Sequence, residues 1–152
     1  IKDLKERAVL DKAYDRALNL IMRRPRSQWE LSDYLKRKDY DQNTINETLN
    51  RLSERGYIDD NDFAKRWVEN RRLLKKTSKR RLTQELRQKR VADEIIQSVL
   101  DADDTDEQQV LRDLIERKRQ QTRYQDDTKL MQYLIRQGFN YADIKSALSD
   151  SD

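Results

Sequence analysis

Residues 30–49 read "ELSDYLKRKDYDQNTINETL", and the same apolar skeleton returns as "RLTQELRQKRVADEIIQSVL" over 81–100 and "KLMQYLIRQGFNYADIKSAL" over 129–148. Each copy begins with a leucine (Leu31, Leu82, Leu130) and has a second four positions on (Leu35, Leu86, Leu134). Ten positions further stands an isoleucine (Ile45, Ile96, Ile144), and four later a third leucine (Leu49, Leu100, Leu148). Four identical apolar types at identical spacings, three times over, mark a structural repeat of 51 and then 48 residues. A spacing of four puts both members of a pair on one helical face. The stretches between the pairs, "KRKDYD", "RQKRVA" and "IRQGFN", have turn chemistry. Each copy is therefore two short helices with one apolar stripe apiece.

A third helix precedes each pair. In the first repeat it spans Lys12 to Arg23, with Ala17, Leu20 and Ile21 inward. In the second it starts near Asp60 and carries Phe63, Trp67 and Leu74 inward; in the third it carries Val110, Leu111, Leu114 and Ile115. The expected fold is all-α: three tandem three-helix repeats at 12–59, 60–103 and 104–152, after a lead-in at 1–11 read as continuing a longer upstream region. Capping chemistry fits these limits. Ser27 and Glu30 have capping-box spacing. Ser78, and Asp126 or Asp127, can start the matching helices. The acids from Asp103 to Glu107 suit the positive end of the next helix.

The joint between the first two repeats, "ERGYIDDNDFAKRW" at 54–67, holds Gly56, one of only 2 glycines. A glycine there closes the preceding helix in a left-handed conformation. Tyr57 and Ile58 then read as apolar plugs folded back on the core, and Asp59 to Asp62 as the cap of the next helix.

Composition narrows the chemistry. Charged residues make up 41% of the chain and hydrophobic ones 35%, which suits thin helical layers better than one thick core. Without cysteine or histidine, disulfides, thiolate metal sites and histidine-based catalysis are excluded. The acidic runs "DDND" and "DADDTDE" lack the glycine and terminal glutamate of a calcium loop, and capping accounts for both. No nucleophile–base pair can be assembled, so the chain reads as a non-enzyme with no cofactor and no metal. No apolar run approaches membrane-spanning length, and the absence of cysteine suits a reducing, cytoplasmic setting.

Charge is unevenly placed. Residues 1–59 carry 13 basic and 11 acidic side chains, 60–90 carry 12 and 4, and 91–152 carry 8 and 14. The densest basic run comprises Arg71, Arg72, Lys75, Lys76, Lys79, Arg80, Arg81, Arg87, Lys89 and Arg90. One reading is a solvated helical face. The other is a surface for phosphate or an acidic protein groove, because Glu69 and Glu85 are the only carboxylates near it in sequence and unpaired like charges repel across a turn. With no Gly-rich phosphate loop, binding there would be independent of base sequence. Trp67, one turn after Phe63, reads as core. Trp29 lies off the apolar stripe and reads either as core or as a stacking platform for bases. Tyr34 and Tyr133 stand at equivalent positions and read as repeated packing residues.

Three segments, "RPRSQWELSDYLKRK", "GYIDDNDFAKRWVENR" and "TSKRRLTQELRQKRV", give the chain a family likeness: it resembles the RecX proteins, regulators of the bacterial RecA recombinase. The likeness spans Lys12 to Leu148. It implies a crescent of three-helix repeats, monomeric and cytoplasmic, that docks on the RecA–DNA filament and usually inhibits it, with possible contact to the DNA phosphate backbone. The basic run would supply the RecA- or DNA-binding residues. At family turn glycines, near Lys76–Ser78 and after Lys38 and Lys89, this chain has Thr77, Asp39 and Arg90. The rival reading is a free-standing DNA-binding module of helix-turn-helix-like units.

Overall fold

The computed structural model describes residues 2–150, with the side chains of Lys2 and Lys75 outside that description. The described residues form nine α-helices and no strand: α1 Lys2–Arg23, α2 Gln28–Arg37, α3 Gln42–Glu54, α4 Asp60–Lys75, α5 Lys79–Gln88, α6 Asp93–Ala102, α7 Glu107–Arg119, α8 Asp127–Arg136 and α9 Tyr141–Asp150. A short 3-10 turn, Thr122–Gln125, precedes α8. This is an all-α tandem-repeat fold, three helices to each repeat.

The helices gather into two compact units. The first runs up to Arg66 and includes Arg87–Ile95; the second comprises Trp67–Leu86 and the residues from Ile96 on. In the first, α1 packs on α2 and α3. Ala13, Ala17, Leu31, Leu35, Ile45, Leu49, Leu52 and Ile58 form its core, with Leu20, Ile21 and Tyr34 partly buried against it. In the second, Val110, Leu111, Leu114, Ile115, Leu130, Leu134, Phe139, Ile144 and Leu148 form the core, with Tyr133 against it. Leu82, Leu86, Ile96 and Leu100, from the middle repeat, are buried as well. All twelve positions of the repeating skeleton are therefore inside.

Four expectations need correcting. The first helix begins at Lys2, not Lys12, and buries Leu10 and Ala13 as well as Ala17. Tyr57 is no plug: it is 44% exposed, and Ile58 alone turns inward at 7%. Leu74 is 63% exposed. The inward positions of α4 are Phe63, Ala64, Val68 and Arg72, so its last turn buries a guanidinium where a leucine was expected. Trp67 is only partly buried and donates its indole N–H to Glu85 Oε1 at 3.1 Å.

One helix ending recurs. After α3, Gly56 (φ 77°) bonds to the Ser53 carbonyl and Tyr57 N–H to that of Leu52. After α8, Gly138 (φ 100°) and Phe139 do the same with Ile135 and Leu134. These are Schellman endings, which satisfy carbonyls the helix leaves free. The positions matching Gly138 in the other repeats are Asp39 (φ 67°) and Arg90 (φ 58°), so both hold the left-handed shape without being glycine. In the third departure the left-handed residue is Lys76 (φ 51°), one before Thr77.

The two glycines differ in surroundings. A Cβ on Gly56 would meet nothing within 4 Å, whereas on Gly138 it would lie 2.5 Å from Ser78 Oγ. Gly56→Ala is expected to cost about 1 kcal/mol, from backbone strain alone. Gly138→Ala should cost clearly more, because it also displaces Ser78. Equal losses in chemical denaturation would reject the steric part.

Ser78 has a counterpart in Ser27, and both do two jobs. In the first unit Ser27 Oγ caps α2 by accepting from Glu30 N–H at 3.2 Å and donates to the Lys89 carbonyl at 2.9 Å. In the second, Ser78 Oγ accepts from Arg81 N–H at 3.2 Å and donates to the Gln137 carbonyl at 3.0 Å. Each hydroxyl thus closes one helix start and joins it to the end of a helix in the following repeat. The last repeat caps α8 with Asp126 instead. A carboxylate accepts but cannot donate, so Asp126 caps the helix start without the second bond that the two serines make.

Candidate functional site

The ten basic residues singled out in the sequence do not form one equivalent set. Six fall in the second unit with described side chains. Arg71 Nε donates to Glu85 Oε1 at 3.0 Å, with a close second contact from Nη2 to Oε2. Arg81 Nη1 donates to Gln137 Oε1 at 2.7 Å, and its Nε lies 3.9 Å from Glu85 Oε2. Lys76 pairs loosely with Asp113 at 3.7 Å. Arg72 is 8% exposed and bonds to Asp103 (3.1 Å), Glu107 (3.0 Å) and the Thr77 carbonyl (2.6 Å). It is an internal strut, and it leaves the set of surface candidates. Lys79 and Arg80 are exposed, and neither side chain forms an ion pair among the described residues. Lys75 lies at the end of α4, its side chain outside the described residues.

The other three fall in the first unit. Arg87 pairs with Asp93 at 3.0 Å and Lys89 with Glu30 at 3.3 Å. The Arg90 guanidinium stands 5.8 Å from the Trp29 ring centroid. Of the two carboxylates read as near the run in sequence, Glu85 pairs with it, but other partners come from farther along the chain. Asp103, Glu107 and Glu30 lie 31 to 59 positions away from their partners in sequence and reach them through the fold.

A second basic group was less conspicuous in sequence. Arg24, Arg26, Arg37 and Lys89 line an open hollow of about 260 Å³ together with Trp29 and Tyr34. Glu30 is its main acid. Burial alone would raise that carboxyl's pKa, but hydrogen bonds from Arg24 and the Ser27 N–H, and the charges of Lys89 and Arg24, bring it below the ordinary value. Nearby, Asp60 accepts from Gln28 N–H at 2.9 Å, and burial pushes its carboxyl up. The signal in sequence was the cluster Arg23, Arg24 and Arg26 around Pro25. In the second unit, Leu73 and Leu74 are exposed by 79% and 63%. Among the described residues no helix is long and apolar enough to cross a membrane.

Nine helices among the described residues, three to each repeat, with serine-joined helix ends, define a tandem three-helix-repeat protein. Family models for the first, second and third three-helix domains of RecX match residues 13–52, 59–100 and 105–148. The chain belongs to the RecX family. The regulatory protein RecX of Mycolicibacterium smegmatis is 37% identical over 139 residues, 86% of this chain and 74% of that protein. That of Mycobacterium sp. strain JLS is 42% identical over 90 residues, 59% of this chain and 49% of that protein. The chain thus spans about half the length of the latter relative. The crystal structure of RecX from Lactobacillus salivarius superposes with a TM-score of 0.78 over 93% of this chain and 95% of that one, at 23% identity. A second, of regulatory protein RecX, gives 0.77 over 96% and 76%.

Proposed function

We propose that this chain is a non-enzymatic regulator that binds RecA and its nucleoprotein filament and modulates, in most settings inhibits, RecA ATPase and recombination. The observation that carries this reading is the match to all three RecX domains in order, beside relatives named regulatory protein RecX. The contact surface is proposed to include Lys79 and Arg80, with Leu73 and Leu74 in the same unit. Exposed leucines in the same unit as these exposed cations suit a protein partner better than bare phosphate, since they add apolar area that phosphate cannot use.

Titrating the protein into RecA on single-stranded DNA is expected to lower ATP turnover in proportion to occupancy. Unchanged turnover at a large excess would sink the proposal. The variant Lys79→Glu/Arg80→Glu should need several-fold more protein for the same inhibition. If those cations touch DNA phosphates, the slope of log affinity against log salt should flatten by about 1.4–1.8. If they meet RecA, binding to naked DNA should stay unchanged while filament binding falls.

A further inference from the structure

The hollow beside α2 holds more positive charge than its own carboxylates neutralise. Glu30 is taken by Arg24 at 2.9 Å and Lys89 at 3.3 Å, and Asp33 by Arg37 at 3.1 Å. Arg26 donates Nε to the Leu20 carbonyl at 3.4 Å, and no carboxylate forms an ion pair with it among the described residues. Burial and the charge of Arg24 both lower its pKa, so its positive charge is held there at a cost. An external anion would offset that cost. On the same rim Trp29 keeps 42% of its surface open. The Arg90 guanidinium stands beside it, 5.8 Å from the ring centroid. A flat ring and guanidinium groups together are what single-strand grooves use, one for stacking on bases and the other for phosphate.

We infer that this hollow is a binding site for unpaired nucleic acid, in which a base stacks on Trp29 and the adjoining phosphate is held by Arg26. The choice of a strand over a free nucleotide follows from the backbone. With glycine only at 56 and 138, no Gly-rich loop is present to cradle a di- or triphosphate. A strand presents one phosphate per base, which one arginine can meet. Duplex hides its base faces, so it offers nothing for the ring. Selectivity among bases is not expected, because every base has a stacking face. This site does not depend on the recombinase reading, and its test contains no RecA, so either can fail while the other stands.

The chain has 2 tryptophans, so a Trp67→Phe background leaves Trp29 as the sole indole reporter. Oligothymidylate is expected to quench its fluorescence saturably. In polarisation with labelled oligothymidylate, Trp29→Ala should weaken binding about tenfold. Arg26→Gln should weaken it too and flatten the salt slope by about 0.7. Circular dichroism checks that the variants fold, and Arg26→Gln serves should Trp29→Ala not. Three results would overturn the inference: oligothymidylate that binds without quenching Trp29 or fails to bind, thymidine monophosphate that quenches at the same concentration, or duplex that competes equally.

Discussion

Arg72→Ala should destabilise the protein by about 3 kcal/mol, an effect out of scale with any other arginine in the basic run. Its guanidinium is buried, and it serves three acceptors from separate segments: Asp103, Glu107 and the Thr77 carbonyl. Removing it leaves two carboxylates facing one another and a carbonyl with no donor. The penalty is then mainly the cost of charges left uncompensated, not the net worth of the pairs. The low end of the usual 3–5 kcal/mol range applies because Glu107 retains 29% side-chain exposure. Arg72→Lys should recover little, since an ammonium cannot present the planar fork that reaches three acceptors at once. Arg87→Ala is the control. Its side chain is 61% exposed against a partner at 74%, and such surface pairs contribute about 0–1 kcal/mol. The measurement is urea denaturation of all three variants. A loss for Arg72→Ala no larger than that for Arg87→Ala would return Arg72 to the surface set.

Arg72 also shows where sequence reading stops. The apolar skeleton was legible because burial repeats with the helical period and the repeats compare one another. Leu31, Leu82 and Leu130 are each fully buried, and so are their partners four residues on. The capping box at Ser27 and Glu30 was legible because it is local. Charge partners are not local. A carboxylate 31 residues away looks like a distant acidic run until α4 and α7 are placed, so a paired arginine and a free one read alike. The burial of Arg72 was missed for a related reason. Leu73 and Leu74 offered hydrophobic side chains next to it, but the inward direction of α4 is set by Val68, and the residue four on from Val68 is Arg72. Apolar type pointed one way and helical phase the other, and phase prevailed. The second role of Ser27 and Ser78 was hidden as well. Their capping role needs three residues of context, but the carbonyls they donate to lie 62 and 59 positions on.

Leu35→Ala, Leu86→Ala and Leu134→Ala should each cost roughly 2–5 kcal/mol, and the three costs should be similar. All three side chains have no exposed surface, and each sits in the second helix of its repeat four residues after another fully buried leucine. Truncation removes the transfer free energy of the lost methyl groups and leaves a cavity that surrounding helices fill only in part. Thin layers sharpen the effect. In a chain with 35% hydrophobic residues, a single leucine is a large share of each repeat's core. Leu35 and Leu134 have a further tie, since their carbonyls accept from Tyr40 and Phe139 N–H in the helix endings that follow. A side chain that shifts there loosens the turn as well as the core. Leu73→Ala is the internal control: at 79% exposure it should fall within about 0.5 kcal/mol of the parent. Denaturation followed by circular dichroism reads all four. If Leu86→Ala lost less than about 1 kcal/mol while the other two lost several, the middle repeat would not be packed as the outer two are, and the equivalence of the three leucines would fail at that position.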